Sequence, residues 1–509
     1  MHSYLAIDAG LTLVAPGMGD SKPNRRDGLV ARSRELPLVV DLDGTLIKTD
    51  LLHEGLSAAL LTQPLAFFRI LGWLAKGPAH LKERLADAVQ LDPSTLPYRS
   101  DLLEWLKQQR ASGRYIVLAT AADSQIAGAV AGHLGLFDEV VSSEGGHNLK
   151  AEAKRDALVK RFGVGGFAYI GDARCDLDVW EVASAAHVAG HAPRLTGLLR
   201  RRGKLERVFD EHRVTVGALL QAMRPTQWSK NLLILVPLLA SHRFLDPAAV
   251  ASALLAMFVF AVAASGVYIM NDLVDLEHDR HHPRKRMRPL ASGALPVLIG
   301  WAVWPLLLGA AATIAANALP IAFAGWLLMY VGLTLAYSFW LKREPIADVV
   351  TLALLYTLRI IAGAAAIGVP LTFWLLSFSI FLFLSLALIK RFIELRAAHD
   401  HANGAHLRGR GYGPRDLDFV AILGGCAGYT SVLVLGLYVH DPRTASMYPS
   451  PEFIWLACPI FLAWISRAWL LAFRGEMQDD PVVFAVKDRI SWLLSAMFAL
   501  AFALASVLP

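Results

Sequence analysis

Two patterns of apolar positions divide this chain. Over residues 1–215 the apolar runs are short and set in an ordinary polar mixture. Leu36–Asp43 (LPLVVDLD) opens into Asp-Leu-Asp-Gly-Thr and predicts a buried parallel strand ending in an acidic loop. Tyr115–Thr120 (YIVLAT) predicts a second strand, and Ala168–Ile170, which leads into Gly171-Asp172, a third. Helices are predicted between them at Ser100–Ala111 and Ala151–Phe162. Strands alternating with helices predict a doubly wound, Rossmann-like α/β domain, whose ligands lie at the carboxyl ends of the strands. All three strand ends carry polar residues.

From about Leu232 onward, long apolar blocks alternate with short basic loops. Since about 20 residues cross a bilayer as helix, the blocks predict an all-α polytopic membrane domain of about nine transmembrane helices. They lie near 230–242, 248–270, 294–316, 319–341, 346–367, 371–389, 418–438, 452–471 and 490–508.

Composition agrees, with 55% hydrophobic and only 18% charged residues among 509. The net charge of +6 does not argue for nucleic acid, because the cations cluster beside the predicted spans. Loops on one side hold Arg280, Arg284, Lys285, Arg286, Arg288, Lys342, Arg343, Lys390, Arg391, Arg396, Arg408, Arg410, Arg415, Arg474, Lys487 and Arg489; those on the other hold Arg243 and Arg443. The asymmetry predicts a bacterial-type inner (plasma) membrane protein with its soluble domain and active sites facing the cytoplasm. Cys175, Cys426 and Cys458 have neither zinc spacing nor a disulfide framework. The N-terminus has no basic stretch before its apolar residues and is not read as a signal peptide. The expected division is a flexible leader at 1–35, a soluble domain at 36–200 with an insertion at about 51–99, a linker at 201–217 and a membrane domain at 218–509.

Asp41-Leu42-Asp43-Gly44-Thr45, the strand-ending Thr120, Lys154 near a helix start (with Lys150 as rival) and Gly171-Asp172-Ala173-Arg174-Cys175-Asp176 occur in order. This set resembles the four motifs of the haloacid dehalogenase (HAD) superfamily of phosphatases, over about residues 36–200. The resemblance implies a Rossmann-like HAD domain with a helical cap. A carboxylate can attack phosphorus and form an aspartyl-phosphate, a role that falls to Asp41. Asp43 would give a proton to the leaving oxygen and then take one from water. Asp172, with Asp41, Asp43 and Asp176, would surround Mg2+. Lys154 and Thr120 would hold the phosphoryl oxygens. The stretch Leu60–Leu74 is unusually apolar for a cap. It forms either the cap's own core, the reading preferred here, or a surface that leans on the membrane and admits a lipid-linked substrate.

In the membrane half, Asp272, Asp275 and Asp279 follow Asn271 at i, i+3 and i+7, which places them on one face of a helix. Three carboxylates on one face call for a cation, and Mg2+ bridging to a diphosphate meets that need. Lys285, Arg286 and Arg288 can pair with phosphate oxygens. The loop resembles the NDxxDxxxD motif of the UbiA superfamily of intramembrane prenyltransferases, and Tyr337–Lys342 resembles its YxxxxK segment. A second aspartate-rich motif is represented only by Asp348, with Arg359 eleven residues on. Lys342 and Arg359 are candidate substrate-binding cations, since charge in a span is costly without a partner. Lys230 either binds phosphate or anchors the interface. Asp479, Asp480 and Asp488 are further candidates in a late loop.

Arg224–Asn231, His282–Pro289 and Lys390–Leu395 resemble the decaprenyl-phosphate phosphoribosyltransferase branch. That resemblance implies Mg2+-dependent transfer of 5-phosphoribosyl from phosphoribosyl diphosphate to a polyprenyl phosphate. The soluble domain would hydrolyse a phosphate monoester, with the lipid-linked ribose 5-phosphate as its candidate. The alternatives are an aromatic prenyltransferase using a polyprenyl diphosphate, or a transporter or scaffold with an attached phosphatase.

Overall fold

Residues Leu38–Val40 have no exposed surface, and the alternation of a strand sends them both ways. Leu38 and Val40 pack with Leu102, Leu106, Leu118 and Ile170 on one side, while Val39 packs with Val117, Leu158, Tyr169 and Trp180 on the other. A strand buried on both faces explains the continuous apolar run. The computed structural model describes residues 35–62, 66–143, 149, 151–209, 216–401, 411–441, 448–477 and 481–507. The expected leader, Lys150, Arg408, Arg410, Arg443, Asp479 and Asp480 therefore lie outside the described residues, Glu35 apart. The chain divides into two units, residues 1–59 with 65–212 and residues 60–64 with 213–509.

The first unit is a six-stranded parallel sheet. Its strands are β1 (Leu38–Val40), β2 (Ile116–Asp123), β3 (Glu139–Ser143), β4 (Ala168–Gly171), β5 (Ala185–Ala189) and β6 (Leu205–Phe209), in the order 3-2-1-4-5-6. The order reverses between β1 and β4, so the residues after those two strands meet at the topological switch point. Three differences from the sequence expectation stand out. Thr120 lies inside β2, whose register against β3 shifts between Ala119 and Asp123. The strands β3 and β5 had no strong apolar signal. β6 falls in the stretch expected as linker, where Leu205-Glu-Arg-Val-Phe closes the sheet edge against β5.

The insertion after β1 is helical, with Leu51–Thr62, Ala66–Ala75 and Pro78–Ala88. Ala59, Ala66, Leu81 and Leu85 form its small core. Phe67, Phe68, Leu71 and Leu74 are 49–70% exposed, so the apolar stretch is only partly the cap's own core.

The second unit holds eight helices long and apolar enough to cross a membrane, from Pro247–Val274 to Arg489–Val507. The expected first span is no single helix. Pro225–Leu235 is a 3-10 stretch that runs into the short helix Val236–Ala240. At about 2.0 Å and 1.5 Å rise per residue the pair covers roughly 30 Å, close to a hydrocarbon core. It runs antiparallel to Pro247–Val274: Ala222, just before it, packs on Leu273, and Leu238 at its end packs on Ala249 and Ala253. Gly363 permits the close approach, since a Cβ there would lie 2.1 Å from the Ile234 carbonyl oxygen. The most buried spans are Pro247–Val274 and Ala347–Ile367, and both carry site residues.

Candidate active sites

In the first unit the switch point gathers the four sequence motifs. Asp41 follows β1, and Asp172 follows β4 beside it. Lys154, in the first turn of Glu152–Phe162, donates to Asp41 Oδ1 at 2.7 Å and to the Tyr169 hydroxyl at 3.1 Å. Tyr169 donates in turn to Asp176 Oδ1 at 2.7 Å. Asp176 Oδ2 accepts the backbone N–H of Asp172 and Ala173, which fixes the loop after β4. Thr120 is buried, and its Oγ1 accepts from the Ala122 N–H at 3.0 Å. Gly44, at φ +71°, sits so close that a Cβ would lie 2.2 Å from Asp172 Oδ2. Asp43 accepts from Leu51 N at 2.8 Å and so ties the acid loop to the first cap helix. Arg99 donates to the carbonyls of Gly44 and Thr45, a clamp that sequence reading missed. Its only sequence signal was a cation just before a predicted helix.

Electrostatics here are dominated by crowded acids. Burial, opposed by Lys154 and reinforced by Asp176, pushes Asp41 up to about 6. Burial and the charges of Asp41 and Asp176 push Asp172 up to about 8. Burial and Asp50 push Asp43 up to about 7. Burial works against the Lys154 charge, but Asp41 and Asp176 outweigh it and hold its ammonium above the usual range. One lysine is too little for these carboxylates. Asp41, Asp172 and Asp176 each place a ligand oxygen within 4.8 Å of the others, the one such trio among the described residues. Oxygen-only ligands and excess negative charge fit a hard divalent cation. Asp43, expected among the ligands, stands outside the trio because its carboxylate is turned to the cap helix.

In the second unit the helix breaks once, at Asp275 (φ −92°, ψ 10°), between Pro247–Val274 and Leu276–His281. Asp272 and Asp279 keep a common face, since Arg288 Nη1 meets both, and each of the three aspartates meets a cation. Asp272 pairs with Arg224 and, at 3.1 Å, with Arg288. Asp279 pairs with Arg288 at 2.5 Å and has Lys285 at 3.9 Å. Asp275 pairs with Lys342 at 3.1 Å. Arg286 is exposed, with no described contact to the acids. Arg224 was not expected as a site residue. It sits in a left-handed conformation (φ +54°) where the Val216–Met223 helix gives way to the 3-10 stretch, and its guanidinium lies 5.3 Å from the Tyr268 ring centre.

Beside Asn271 lies a cavity of about 150 Å3 lined by Lys230, Arg359, Lys390, Tyr330 and Tyr337 among others. Lys230 and Arg359 thus share one space, and Lys390 joins them. Asp348 does not line it. It is fully buried, held by Arg391 Nε at 2.7 Å and Nη2 at 3.1 Å, and it accepts from the Tyr337 hydroxyl at 2.8 Å. Through Tyr337, which lines the cavity, Asp348 is one hydrogen bond away from that space. Asp488 pairs with Arg467 at 2.7 Å.

The model of the UbiA prenyltransferase family matches residues 232–485. Decaprenyl-phosphate phosphoribosyltransferase of Mycobacterium tuberculosis (strain H37Rv) is 32% identical over 286 residues, covering 55% of this chain and 91% of that protein. The chain belongs to the UbiA prenyltransferase family. The uncharacterised protein y4nM of Sinorhizobium fredii is 39% identical over 474 residues, 93% of this chain and 91% of its own, so the likeness extends over both units. Among solved structures, a UbiA homologue from Archaeoglobus fulgidus bound to GPP and Mg2+ covers 56% of this chain and 99% of its own at 18% identity and TM-score 0.43. A phosphoserine phosphatase in apo form covers 35% of this chain and 94% of its own at 16% identity and TM-score 0.26. The UbiA-family unit is the part with the eight span-length helices, consistent with a multi-pass membrane protein.

Proposed function

We propose that the chain is a bifunctional membrane enzyme: a polyprenyl-phosphate phosphoribosyltransferase joined to a HAD-type phosphomonoesterase. The observation that carries the first activity is the likeness, over 91% of its length, to decaprenyl-phosphate phosphoribosyltransferase. In this reading the acceptor phosphate oxygen attacks the anomeric carbon of phosphoribosyl diphosphate. The bond to the diphosphate breaks, and the electron pair leaves with it. Arg224, Arg288 and Lys342, now on the aspartates, are placed to take over diphosphate oxygens. Asp272, Asp275 and Asp279 would hold Mg2+, which commonly binds through one or two carboxylates plus substrate phosphates and so needs no gathered trio.

In the first unit Asp41 attacks phosphorus, and Asp43 protonates the departing oxygen and later takes a proton from water. Its raised affinity for a proton suits it to both steps. Lys154 neutralises the nucleophile's surroundings, and Thr120 holds the loop at Ala122. Asp41, Asp172 and Asp176 would hold Mg2+, which when bound offsets phosphoryl charge. The lipid-linked ribose 5-phosphate made by the second unit is the candidate monoester. The chain enters the second unit at the aspartate end, where Ala222 packs on Leu273. With the positive loops inside, the aspartates and the phosphatase both belong on the cytoplasmic side.

The transfer reading is tested with purified chain, Mg2+ and labelled phosphoribosyl diphosphate, offered either a polyprenyl phosphate or an aromatic acid with a polyprenyl diphosphate. Label entering lipid in wild type and absent in Asp272→Asn supports it. Prenylation of the aromatic acid instead would make the chain an aromatic prenyltransferase. Full function in Asp272→Asn would point to a transporter or scaffold.

A further inference from the structure

The second unit separates its charges in an unexpected way. Each aspartate of the Asn271–Asp279 segment has a cationic partner, and so does Asp348. Arg359 is different. It is 4% exposed in the middle of the Ala347–Ile367 span, yet its guanidinium meets only neutral groups among the described residues. Nε donates to Asn231 Oδ1 at 3.1 Å, Nη2 to the Tyr330 hydroxyl at 3.0 Å and Nη1 to the Leu355 carbonyl at 2.6 Å. The rings of Phe260, Tyr330 and Tyr356 surround it, with centres at 4.9–5.6 Å. These contacts hold the guanidinium in place without cancelling its charge. An ion buried in a span without a counter-charge is costly, and such residues face a functional partner.

The partner's place is visible. Arg359 lines the cavity of about 150 Å3 together with Lys230 and Lys390, and no described lining residue is a carboxylate. A single water needs only about 10–15 Å3 of such space, so a phosphate headgroup fits readily. Asn271, the first residue of the acid segment, lines it too, so the cavity opens directly beside Asp272. Leu352, Leu355 and Leu386 supply an apolar side.

We propose that this cavity binds the phosphate monoester headgroup of the lipid acceptor, apart from the diphosphate that the aspartate segment receives. The assignment rests on the phosphoribosyl-transfer reading and names the acceptor subsite within it. Chemistry supports the division. A phosphate oxyanion is already deprotonated, so it forms the new C–O bond while diphosphate leaves, and no base is needed to remove a proton. A cavity with three cations and no described carboxylate suits that nucleophile. Lys230 and Arg359 reach it because the chain crosses there as a 3-10 stretch, which brings Asn231 against the Arg359 guanidinium.

The donor's own 5-phosphate has the same chemistry, and the experiment separates the two. Full-length wild type, Arg359→Gln, Arg359→Lys and Lys390→Gln are compared in detergent, with Lys390 partly exposed and tolerant of exchange. KM is measured separately for farnesyl phosphate and for phosphoribosyl diphosphate, and thermal stabilisation by farnesyl phosphate or farnesol is measured without donor. The expected result is a rise of about 10- to 100-fold in KM for farnesyl phosphate in Arg359→Gln and Lys390→Gln, partial recovery in Arg359→Lys and little change for the donor. Farnesyl phosphate should stabilise wild type, farnesol should not, and Lys390→Gln should lose much of the effect. A rise in donor KM instead, or an unchanged farnesyl phosphate KM, overturns the assignment. If wild type transfers no phosphoribosyl group yet shows this phosphate-dependent stabilisation and its loss, the transfer reading fails and the headgroup site stands. If the stabilisation is absent as well, both fail.

Discussion

Gly44 joins backbone geometry to the phosphatase site, and Gly44→Ala is its sharpest probe. The residue sits at φ +71°, where an L-residue costs about 1–2 kcal/mol. A Cβ would lie 2.2 Å from Asp172 Oδ2, and ordinary contact begins at 3.4 Å. Either the carboxylate or the loop must therefore move by about 1 Å, and a misplacement of that size typically costs about 10²-fold in rate. The assay is Mg2+-dependent hydrolysis of a simple aryl phosphate by the full chain, with thermal unfolding in parallel. Gly128→Ala is the control: Gly128 is helical with nothing within 4 Å, so alanine should stabilise by about 0.5–1 kcal/mol and leave hydrolysis unchanged. The expected outcome for Gly44→Ala is a loss of about 10²-fold in kcat/KM with at most a few kcal/mol of stability lost. An unchanged kcat/KM would refute the claim that the close approach of Gly44 to Asp172 sets the site.

Arg391→Met should cost about 3–5 kcal/mol, because it removes the cation from the fully buried Asp348, and Asp348→Asn should cost less, because Arg391 keeps Glu394. The double change Asp348→Leu with Arg391→Met should recover much of that loss, as read by thermal unfolding in detergent. His187, buried beside Trp105 with a ring-centre distance of 5.2 Å, is held down to about 4 by burial and by Arg114 and Arg207. Its folded form binds a proton less readily than its unfolded form. Its contribution is therefore full above pH about 6.5 and is lost as pH falls towards 4, by up to about 3 kcal/mol. His187→Phe should flatten the pH dependence of first-unit unfolding, followed by hydrogen exchange across that window; an unchanged slope would count against a neutral buried His187. Lys154→Met should lower phosphate hydrolysis by at least about 10²-fold while leaving phosphoribosyl transfer intact.

The residues legible in sequence were those whose chemistry dictates type and spacing. Asp41, Asp172, Asp176 and Lys154 converge because each lies at a strand end or first helical turn, places that apolar runs reveal. Arg99 escaped notice because it acts on Gly44 and Thr45, 54 residues or more away in sequence. Arg224 escaped because its role depends on a left-handed break between two short segments, and hydropathy smooths such breaks into one span. The pairing of Asp348 with Arg391 joins two helices 43 residues apart, so the isolated acid looked like the remnant of a second motif. The common face of Asp272 and Asp279 was legible in their spacing, whereas the cations that meet the aspartates, Arg224 and Lys342 among them, lie 48 and 67 residues from their partners.

The most direct test of two linked activities follows labelled phosphoribosyl diphosphate into polyprenyl phosphate with Mg2+ in wild type and in Asp41→Asn. The account predicts labelled lipid in both, with the 5-phosphate retained in Asp41→Asn and removed in wild type. Labelled lipid that keeps its 5-phosphate equally in both, or no labelled lipid from folded protein, would contradict it.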